Sequence, residues 1–306
     1  MAEVNNLNSE IKIAVIGGDE RQLITAHELS DVGFEVAVYG FGSYIFERSN
    51  ITRCVDLEGA VRNSAAIVLP IPLSKDNRHL YCPLGTEDQQ NKLFEDLFTL
   101  INPSQLVIGG GIGESFISAA DHHGIKLFDC LKRDEVAILN AVPTAEGALE
   151  IAFHELPVTL YGSKVHVLGF GRIGKVLAKS SNSLGADVTV HSRNASDMAW
   201  TKIFGYHSSD IRQLGSNPRP FEDAAVVFNT VPKIIVTAPV LKKMSKKTLI
   251  IDVASLPGGV DKAAAEKEGI KIIHALALPG KTAPVSSGKI ISDGIFGILQ
   301  EKGITP

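Results

Sequence analysis

A chain of 306 residues with 44% hydrophobic and 21% charged residues has the composition of a globular protein with about two domains. Its 30 basic and 34 acidic residues are interspersed and leave a formal net charge of −4, which argues against nucleic-acid and anionic-membrane binding. Three cysteines without metal-ligand spacing indicate thiols in a reducing cytoplasm and no metal site. The first ten residues are polar and predicted to be a disordered tail, and no apolar run reaches the length of a membrane span.

The first half of the chain alternates strand-like and helix-like segments. Buried-type strands are predicted at 11–16, 34–39, 65–69, 105–109 and 125–128, with helices near 23–32, 87–100 and 114–123. Such alternation predicts a parallel sheet with right-handed crossovers. The turn after the first strand reads Gly17-Gly18-Asp19-Glu20-Arg21 and lacks the third glycine of a dinucleotide site. This half is therefore predicted to be Rossmann-like without a bound nucleotide.

A helical pattern over 133–156 connects the two halves and is interrupted by Pro143, which is expected to break or kink it. Further strands are predicted at 225–229, 248–252 and 270–274, and a last helix at 288–300. The predicted class is α/β, with two Rossmann-like parallel-sheet domains, a cleft between them and long interdomain helices. The predicted domains are residues 1–145 for substrate and catalysis, 146–284 for NADP, and 285–306 as a C-terminal helix that packs back on the first domain.

The second half opens on a glycine-rich turn between a strand and a helix. A β-branched run ends at Leu168, and Gly169-x-Gly171-x-x-Gly174 follows, then a helical pattern and a strand over 188–190. In this context the first glycine allows a tight turn, the second lets the backbone approach a pyrophosphate, and the third lets helix and strand pack closely. The turn, with Arg172 and Ile173, is predicted to hold a dinucleotide at a helix N-terminus.

The end of that second strand bears on the choice of cofactor. An NAD site usually carries an acidic residue there, whereas this chain has His191-Ser192-Arg193. Arg193 can hold a 2′-phosphate and Ser192 can donate to it. The sequence therefore favours NADP, with NAD left open.

Polar residues also follow the later strands. They are Asn229-Thr230-Val231-Pro232 and Asp252-Val253-Ala254-Ser255, which resemble the nicotinamide side of formate- and glycerate-type dehydrogenases. Thr230, Val231, Pro232, Asp252 and Ala254 are accordingly predicted to face the cofactor, although turns favour the same residue types. The D-2-hydroxyacid dehydrogenases carry an arginine for the substrate carboxylate where this chain has Leu256. A 2-hydroxyacid substrate is therefore not expected.

Several motifs along the chain carry a more specific resemblance. They are the opening Gly17-Gly-Asp-x-Arg-Gln22, Arg133-Asp-Glu135, Asn140-Ala-Val-Pro-Thr-Ala-Glu-Gly147, the glycine fingerprint, Asp252-Val-Ala-Ser-x-Pro-Gly-Gly259 and Leu278-Pro-Gly-Lys-Thr-Ala-Pro284. Together they resemble the A subunit of dipicolinate synthase. The resemblance implies NAD(P)-dependent formation of dipicolinate from a dihydrodipicolinate-type precursor on a branch of the lysine pathway. It also implies a partner, the flavoprotein-like B subunit, together with a homo-oligomer and a place in the cytoplasm of the mother cell of a sporulating bacterium.

A dianionic substrate requires cations or helix N-termini directed at it. The candidates are Arg21, Arg133 and Lys281, with Thr144 as a hydroxyl donor and Glu146 as a proton acceptor or an orienting group. His274 is a candidate proton relay. Surface ion pairs and helix capping are the alternative explanations for these residues. Two other functions remain open: a different NADP-dependent dehydrogenase of a small carboxylate, and a non-catalytic nucleotide-binding regulatory subunit.

Overall fold

The computed structural model describes residues 11–217, 219 and 221–306, so the predicted tail at residues 1–10 lies outside the described residues. The chain divides into two compact units. Unit 1 comprises residues 1–137 and 284–306, and unit 2 comprises residues 138–283. Each unit contains one six-stranded parallel sheet with helices. The predicted α/β class with two Rossmann-like parallel sheets is confirmed.

The elements of the first half follow the alternation of the sequence. In chain order they are β1 (Lys12–Ile16), α1 (Glu20–Asp31), β2 (Glu35–Tyr39), β3 (Ile51–Arg53), α2 (Leu57–Val61), β4 (Ala66–Val68), α3 (Glu87–Gln90), α4 (Phe94–Leu100), β5 (Leu106–Gly109), α5 (Glu114–His122), β6 (Leu127–Asp129), a 3-10 turn (Cys130–Lys132) and α6 (Asp134–Leu139).

The remaining elements are α7 (Ala141–Glu155), β7 (Lys164–Leu168), α8 (Arg172–Ser183), β8 (Asp187–Ser192), α9 (Ala195–Ile203), β9 (His207–Asp210), a 3-10 turn (Ile211–Gln213), β10 (Ala224–Asn229), α10 (Ala238–Leu241), β11 (Leu249–Asp252), α11 (Lys262–Glu268), β12 (Ile272–His274), α12 (Leu278–Thr282) and α13 (Pro284–Glu301).

The sheet of unit 1 has the order β3-β2-β1-β4-β5-β6. Its central strands are apolar on both faces because helices cover both sides. Ile13 and Val15 pack on one side in a cluster with residues of α1 and α13, and Ala14 and Ile16 pack on the other with residues of α4 and α5. The strand order reverses between β1 and β4, which is where open α/β sheets bind ligands.

The sheet of unit 2 has the order β12-β11-β10-β7-β8-β9. Val165 and Val167 pack on one face in a cluster with residues of α7 and α8. Leu168 and Val227 pack on the other face in a cluster with residues of α10 and α11. The strand order reverses between β7 and β10, so the glycine-rich turn after β7 lies at the switch point of this sheet.

The helix predicted over 133–156 is broken, as expected, but the break precedes Pro143. Helix α6 ends at Leu139, α7 begins at Ala141, and Pro143 is the third residue of α7. Proline lacks an N–H and its ring clashes with the carbonyl four residues earlier, here that of Leu139. The same residue is tolerated in the first turn of a new helix, which explains why α7 begins before it.

By length and composition, one stretch of the described residues, 134–155, is long and apolar enough to cross a membrane. Half of its most apolar part is buried inside the protein, and buried core helices satisfy the same criteria. Ala145, Ala148 and Ala152 of this stretch lie in the core of unit 2. We therefore interpret the α7 part of this stretch as a core helix.

Candidate functional site

The glycine-rich turn after β7 has a distinct geometry at each glycine. Gly169 has φ +92°, a conformation that side chains rarely adopt, and a Cβ there would lie 2.5 Å from Oγ1 of Thr230. A Cβ on Gly174 would overlap the carbonyl oxygen of Gly169. A Cβ on Gly171, in contrast, would meet no atom of the described part of the chain within 4 Å. Two of the glycines are thus required by the fold of the turn, and Gly171 faces open space.

Helix α8 begins immediately after this open position. Gly171 is its N-cap and has no side chain to accept the first N–H groups, and the first turn, which includes Arg172 and Ile173, contains no acidic residue. The N–H groups and the helix dipole therefore favour an anion at this point. The space at Gly171 and the uncapped N-terminus fit the pyrophosphate of a nicotinamide dinucleotide.

The end of β8 carries a feature that the sequence pattern did not predict. The hydroxyl of Ser192 donates to Oδ2 of Asp197 at 2.6 Å, and Nδ2 of Asn194 donates to the same oxygen at 3.2 Å. Arg193 is exposed. A carboxylate therefore does stand at this strand end, but it is contributed by the first turn of α9. Because Asp197 lies five residues beyond Ser192, it falls outside the strand-end position at which an acidic residue is expected.

The loop after β10 lies against the glycine turn. The backbone N–H and the hydroxyl of Thr230 both donate to the carbonyl of Leu168, at 3.0 and 2.8 Å. A Cβ on Gly169 would also lie 3.0 Å from Cγ2 of Val231. Val231 is half-buried and Pro232 is exposed. The structure thus brings Gly169, Thr230 and Val231 together at the switch point of unit 2.

Asp252 is fully buried and holds the loop that follows β11. Its Oδ1 accepts from Nδ2 of Asn229 at 2.8 Å and from the backbone of Ala254 at 3.1 Å, and its Oδ2 accepts from the backbone of Gly259 at 2.8 Å. Asn229 is also fully buried. Both oxygens of Asp252 are therefore used within the chain, and any effect of Asp252 on a cofactor acts through the position of this loop.

His274 does not fit the predicted role of a proton relay. Its Nε2 lies 2.9 Å from the carbonyl oxygen of Ala254, so this nitrogen must carry the proton. Its Nδ1 lies 2.8 Å from Nζ of Lys262 and accepts from that ammonium. Since both ring nitrogens are occupied, we assign His274 a structural role that joins β12 to the loop after β11.

Arg21 lies beside the switch point of unit 1. Its Nε and Nη2 form a two-pronged ion pair with Asp19, each at 2.8 Å, and Nη2 also donates to the carbonyl of Ile71 at 2.7 Å. The side chain is 13% exposed. Among the described residues no hydrogen bond uses its Nη1. Arg21 is thus fixed in direction, with one edge of the guanidinium left to bind a carboxylate.

Arg133 has a different environment. Its Nε donates to Glu135 at 2.5 Å and its Nη1 to Glu301 at 2.8 Å, which ties the start of α6 to the end of α13. These carboxylates raise the pKa of Arg133 above its usual value. The two ion pairs suit a structural contact more than a substrate ligand.

The other predicted substrate residues are all in unit 2. Thr144 is in the first turn of α7, and its hydroxyl donates to the carbonyl of Asn140 at 2.8 Å. Glu146 is exposed on the same helix, and Lys281 is exposed on α12. A Cβ on Gly147 would lie 2.6 Å from Oγ1 of Thr282, so the close contact of α7 with α12 requires glycine there.

The switch point of unit 1 is covered by the chain itself. The carboxylate of Asp19 caps α1 by accepting from the backbone of Arg21 at 3.2 Å. The backbone of Gly18 donates to the carbonyl of Tyr81 at 2.7 Å, so residues near 81 lie on the glycine turn. The turn after β1 in unit 1 corresponds to the turn after β7 in unit 2. In unit 2 this position is open at Gly171, whereas in unit 1 the carboxylate of Asp19 and a loop occupy it.

Comparisons with known proteins agree with this geometry. The family model of the N-terminal domain of the dipicolinate synthase A subunit matches residues 12–131, and that of the NAD binding domain of D-isomer specific 2-hydroxyacid dehydrogenase matches residues 144–264. The chain is 32% identical to the A subunit of dipicolinate synthase of Bacillus subtilis (strain 168) over 298 residues, which cover 95% of this chain and 96% of the relative.

Solved structures give the same result. The dipicolinate synthase A subunit from Bacillus halodurans superposes with a TM-score of 0.87 at 31% identity, covering 94% of this chain and 97% of that chain. The same protein from Bacillus subtilis gives 0.86 at 31% identity, covering 95% and 96%. D-lactate dehydrogenase from Escherichia coli gives 0.62 at 14% identity, covering 96% and 98%, which shows a shared fold alone.

The open glycine turn, the Rossmann-like sheets and the match to an NAD-binding domain define an oxidoreductase that uses a nicotinamide nucleotide. The match over nearly the whole length defines its family. The chain belongs to the family of dipicolinate synthase A subunits, which confirms the resemblance seen in its motifs.

Proposed function

We propose that this chain oxidises a dihydrodipicolinate-type precursor to dipicolinate, pyridine-2,6-dicarboxylate, with NADP as the preferred cofactor. The observation that carries the proposal is the similarity to the dipicolinate synthase A subunit over both units. When bound, the oxidised nicotinamide supplies a two-electron acceptor, and the gain of aromaticity favours the oxidation. The residues of the chain then have mainly to bind and orient the substrate.

The proposed cofactor site is in the domain at residues 146–284. Gly169, Gly171 and Gly174 form the turn that receives the pyrophosphate, together with the N–H groups of Arg172 and Ile173. The loop residues Thr230, Val231, Pro232, Asp252 and Ala254 are proposed to shape the nicotinamide side. The guanidinium of Arg193 supports NADP, whereas the nearby carboxylate of Asp197 opposes a 2′-phosphate.

The proposed substrate site is in the domain at residues 1–145, at the switch point of its sheet. Arg21 is the first candidate for a substrate carboxylate, because Asp19 fixes its guanidinium while Nη1 has no hydrogen bond among the described residues. Lys281, Thr144 and Glu146 belong to unit 2 and remain candidates independent of this switch point. Arg133 is the weakest of the predicted cations, because Glu135 and Glu301 already occupy it.

The proposal includes a biological setting that follows from the family. The flavoprotein-like B subunit of dipicolinate synthase is the expected partner, in addition to a homo-oligomer of this chain. The place is the cytoplasm of the mother cell of a sporulating bacterium, on a branch of the lysine pathway. The helix at residues 285–306 belongs in this proposal to the substrate domain, since α13 and α1 pack in the same core cluster.

A dipicolinate-formation assay tests the function directly. The purified chain is mixed with the precursor and either NADP or NAD, with and without the B subunit, and dipicolinate and reduced nucleotide are both quantified. Equal amounts of the two products are expected, at higher rates with NADP. Nucleotide binding without either product, even with the B subunit, would instead favour a regulatory role.

Substitution of Arg21 tests the proposed carboxylate contact in the same assay. Arg21→Met removes a charge-assisted hydrogen bond, so KM for the precursor is expected to rise at least about tenfold while the Kd of NADP stays the same. Arg62→Met removes an exposed arginine of the same unit and serves as the control. An unchanged KM in Arg21→Met would exclude the contact.

A further inference from the structure

Residues 70–82, which we name the switch segment, follow β4 and lie at the switch point of unit 1. Three of the hydrogen bonds of this segment tie it to the start of α1 and the turn before it, or join its two ends. Ile71 accepts from Arg21 at 2.7 Å, Tyr81 accepts from the backbone of Gly18 at 2.7 Å, and Tyr81 donates to Leu73 at 2.9 Å. Both ends of the segment are thus tied to the β1–α1 turn or to each other. Its residues 75–78 are exposed.

Within the switch segment a carboxylate orients an imidazole. Oδ2 of Asp76 lies 2.6 Å from Nδ1 of His79. Because an ionised carboxylate only accepts, Nδ1 carries the proton and Nε2 presents its lone pair. Among the described residues no hydrogen bond uses Nε2, and the side chain is 34% exposed. His79 therefore has an oriented, accessible nitrogen that can take a proton.

Asp76 is held in its ionised form. The His79 ring, the backbone N–H groups of His79 and Arg78 and the hydroxyl of Ser74 all donate to it, and they hold its pKa well below the usual value. Turn capping explains the bonds to Oδ1. It does not require Oδ2, which binds only the imidazole among the described residues. The pair has the arrangement in which a carboxylate fixes the tautomer of a catalytic histidine.

The surroundings of this pair suit an anionic substrate. Arg21 donates to Ile71, near the start of the segment. The ammonium of Lys75, also in the segment, lies 4.1 Å from the centre of the Tyr81 ring. The other charges near His79 are Arg78 on its own segment and Lys92 on the segment 92–94 that pairs with it. The ammonium of Lys92 is 3.3 Å from Asp88. Arg21 and Lys92 are already paired with Asp19 and Asp88, so Lys75 and Arg78 are the cations of the segment that an anionic substrate can use.

We infer that His79, oriented by Asp76, is the general base of the dipicolinate-forming step. This inference rests on the proposed function. An oxidised nicotinamide, which the glycine turn at residues 169–174 would hold, would accept one ring hydrogen of the dihydro precursor together with both electrons of its C–H bond. A second ring hydrogen leaves as a proton to Nε2 of His79, while its bonding electrons complete the aromatic ring. The imidazolium, stabilised by Asp76, then releases the proton to water.

The test compares His79→Gln and His79→Ala with the wild type, and uses His122→Gln, an exposed histidine at the end of α5, as the matched control. Loss of a general base is expected to lower kcat by about 10² to 10⁴. The Kd of NADP, the KM of the precursor and the melting temperature should change little. Added imidazole should restore part of the activity of His79→Ala.

The pH profile separates catalysis from structure. In the wild type kcat/KM should fall at acid pH, where the base is protonated, and this acid limb should vanish in His79→Gln. Asp76→Asn should lower kcat, because an amide does not fix the tautomer of His79 as the carboxylate does. The proton NMR signal of the His79 ring, identified by its absence in His79→Gln, should titrate over the same pH range as the limb.

Each contrary result has a separate meaning. If the wild type forms no dipicolinate, the proposed function is wrong and the role of His79 with it. If the wild type is active while the His79 variants keep its rate and its pH profile, only the role of His79 is wrong. A loss of activity with a lower melting temperature, an unchanged acid limb and no rescue by imidazole would show a purely structural histidine, which also overturns the inference.

Discussion

Three side chains at the end of β8 bear on the choice between NADP and NAD. Arg193 is exposed and can pair with a 2′-phosphate, whereas Asp197 can accept from a ribose 2′-hydroxyl and repels a phosphate. Ser192 links them, since it precedes Arg193 and donates to Asp197 at 2.6 Å. The arginine was visible in the sequence, but the contact between Ser192 and Asp197 depends on where α9 begins.

Substitution of Arg193 and Asp197 should separate their effects. Arg193→Ala is expected to raise the Kd of NADP at least about tenfold, the loss of one charge-assisted contact, and to leave that of NAD nearly unchanged. Asp197→Asn should strengthen NADP binding relative to NAD. Calorimetric titration measures both constants, and Arg212→Ala, an exposed arginine paired with Asp210, is the control. If Arg193→Ala leaves NADP binding unchanged, the NADP preference is wrong.

At the scale of elements, the glycine turn was the part of the candidate site best suited to prediction. Its three glycines are close in sequence, and two of them, Gly169 and Gly174, are determined by contacts within the turn and with the neighbouring strand end. The structure adds a distinction that spacing could not give. Gly169 and Gly174 are required by the protein itself, whereas Gly171 borders open space.

This distinction predicts different effects of two alanine substitutions in one turn. Gly174→Ala places a methyl group against the carbonyl of Gly169 and should destabilise unit 2 by about 1–3 kcal/mol. Gly171→Ala meets no protein atom, so its melting temperature should match the wild type, but its methyl group should obstruct the pyrophosphate and raise the Kd of NADP. Thermal unfolding and calorimetric titration of both variants check this. Equal melting temperatures for the two would refute the assignment.

The strands that the sequence did not predict have a common physical cause. β3 and β9 are edge strands, one in each sheet, and they read Ile-Thr-Arg and His-Ser-Ser-Asp. The central strands are covered on both faces and appear as continuous apolar runs, whereas an edge strand can remain polar. The break before Pro143 was predicted because its cause is local. The capping hydrogen bonds of Asp76 and the buried contacts of Asp252 depend on the folded loops and were not predicted.

At the scale of the whole molecule, two sheets of the same strand order use their carboxyl edges differently. In unit 2 the edge at the switch point carries an uncapped helix N-terminus beside open space. In unit 1 the corresponding helix is capped by Asp19, and the switch segment lies on the turn. The missing third glycine indicated this difference from the sequence. The sequence also offered Arg21 as a candidate cation, but its ion pair with Asp19 and the Asp76–His79 pair required the structure.

Unit 2 also contains a buried histidine pair that should control the acid stability of the protein. Nδ1 of His166 lies 2.8 Å from Nε2 of His191, and the ring of Phe221 packs against both. Nδ1 of His191 is buried and has no hydrogen bond to any residue that the structure describes. Burial lowers the pKa of both rings, and each also has a cationic or imidazole neighbour that opposes protonation, Lys164 for His166 and His166 for His191. Asp187 raises the pKa of His166, but this effect is smaller than the lowering by burial and Lys164.

The expected consequence is a loss of stability as pH falls below about 6.5, the pKa of histidine in the unfolded chain. Below that pH the histidines of the unfolded state bind protons, whereas the folded pair stays neutral. Each histidine therefore adds up to about 1.4 kcal/mol per pH unit to the slope of the free energy of unfolding against pH. The stability is fully present at higher pH. Urea unfolding from pH 7.5 to 5 should show a shallower slope in His166→Leu/His191→Leu than in the wild type, whereas His154→Gln, an exposed histidine of unit 2, should keep the wild-type slope. If the double variant also keeps that slope, the pair is not the source of the acid sensitivity.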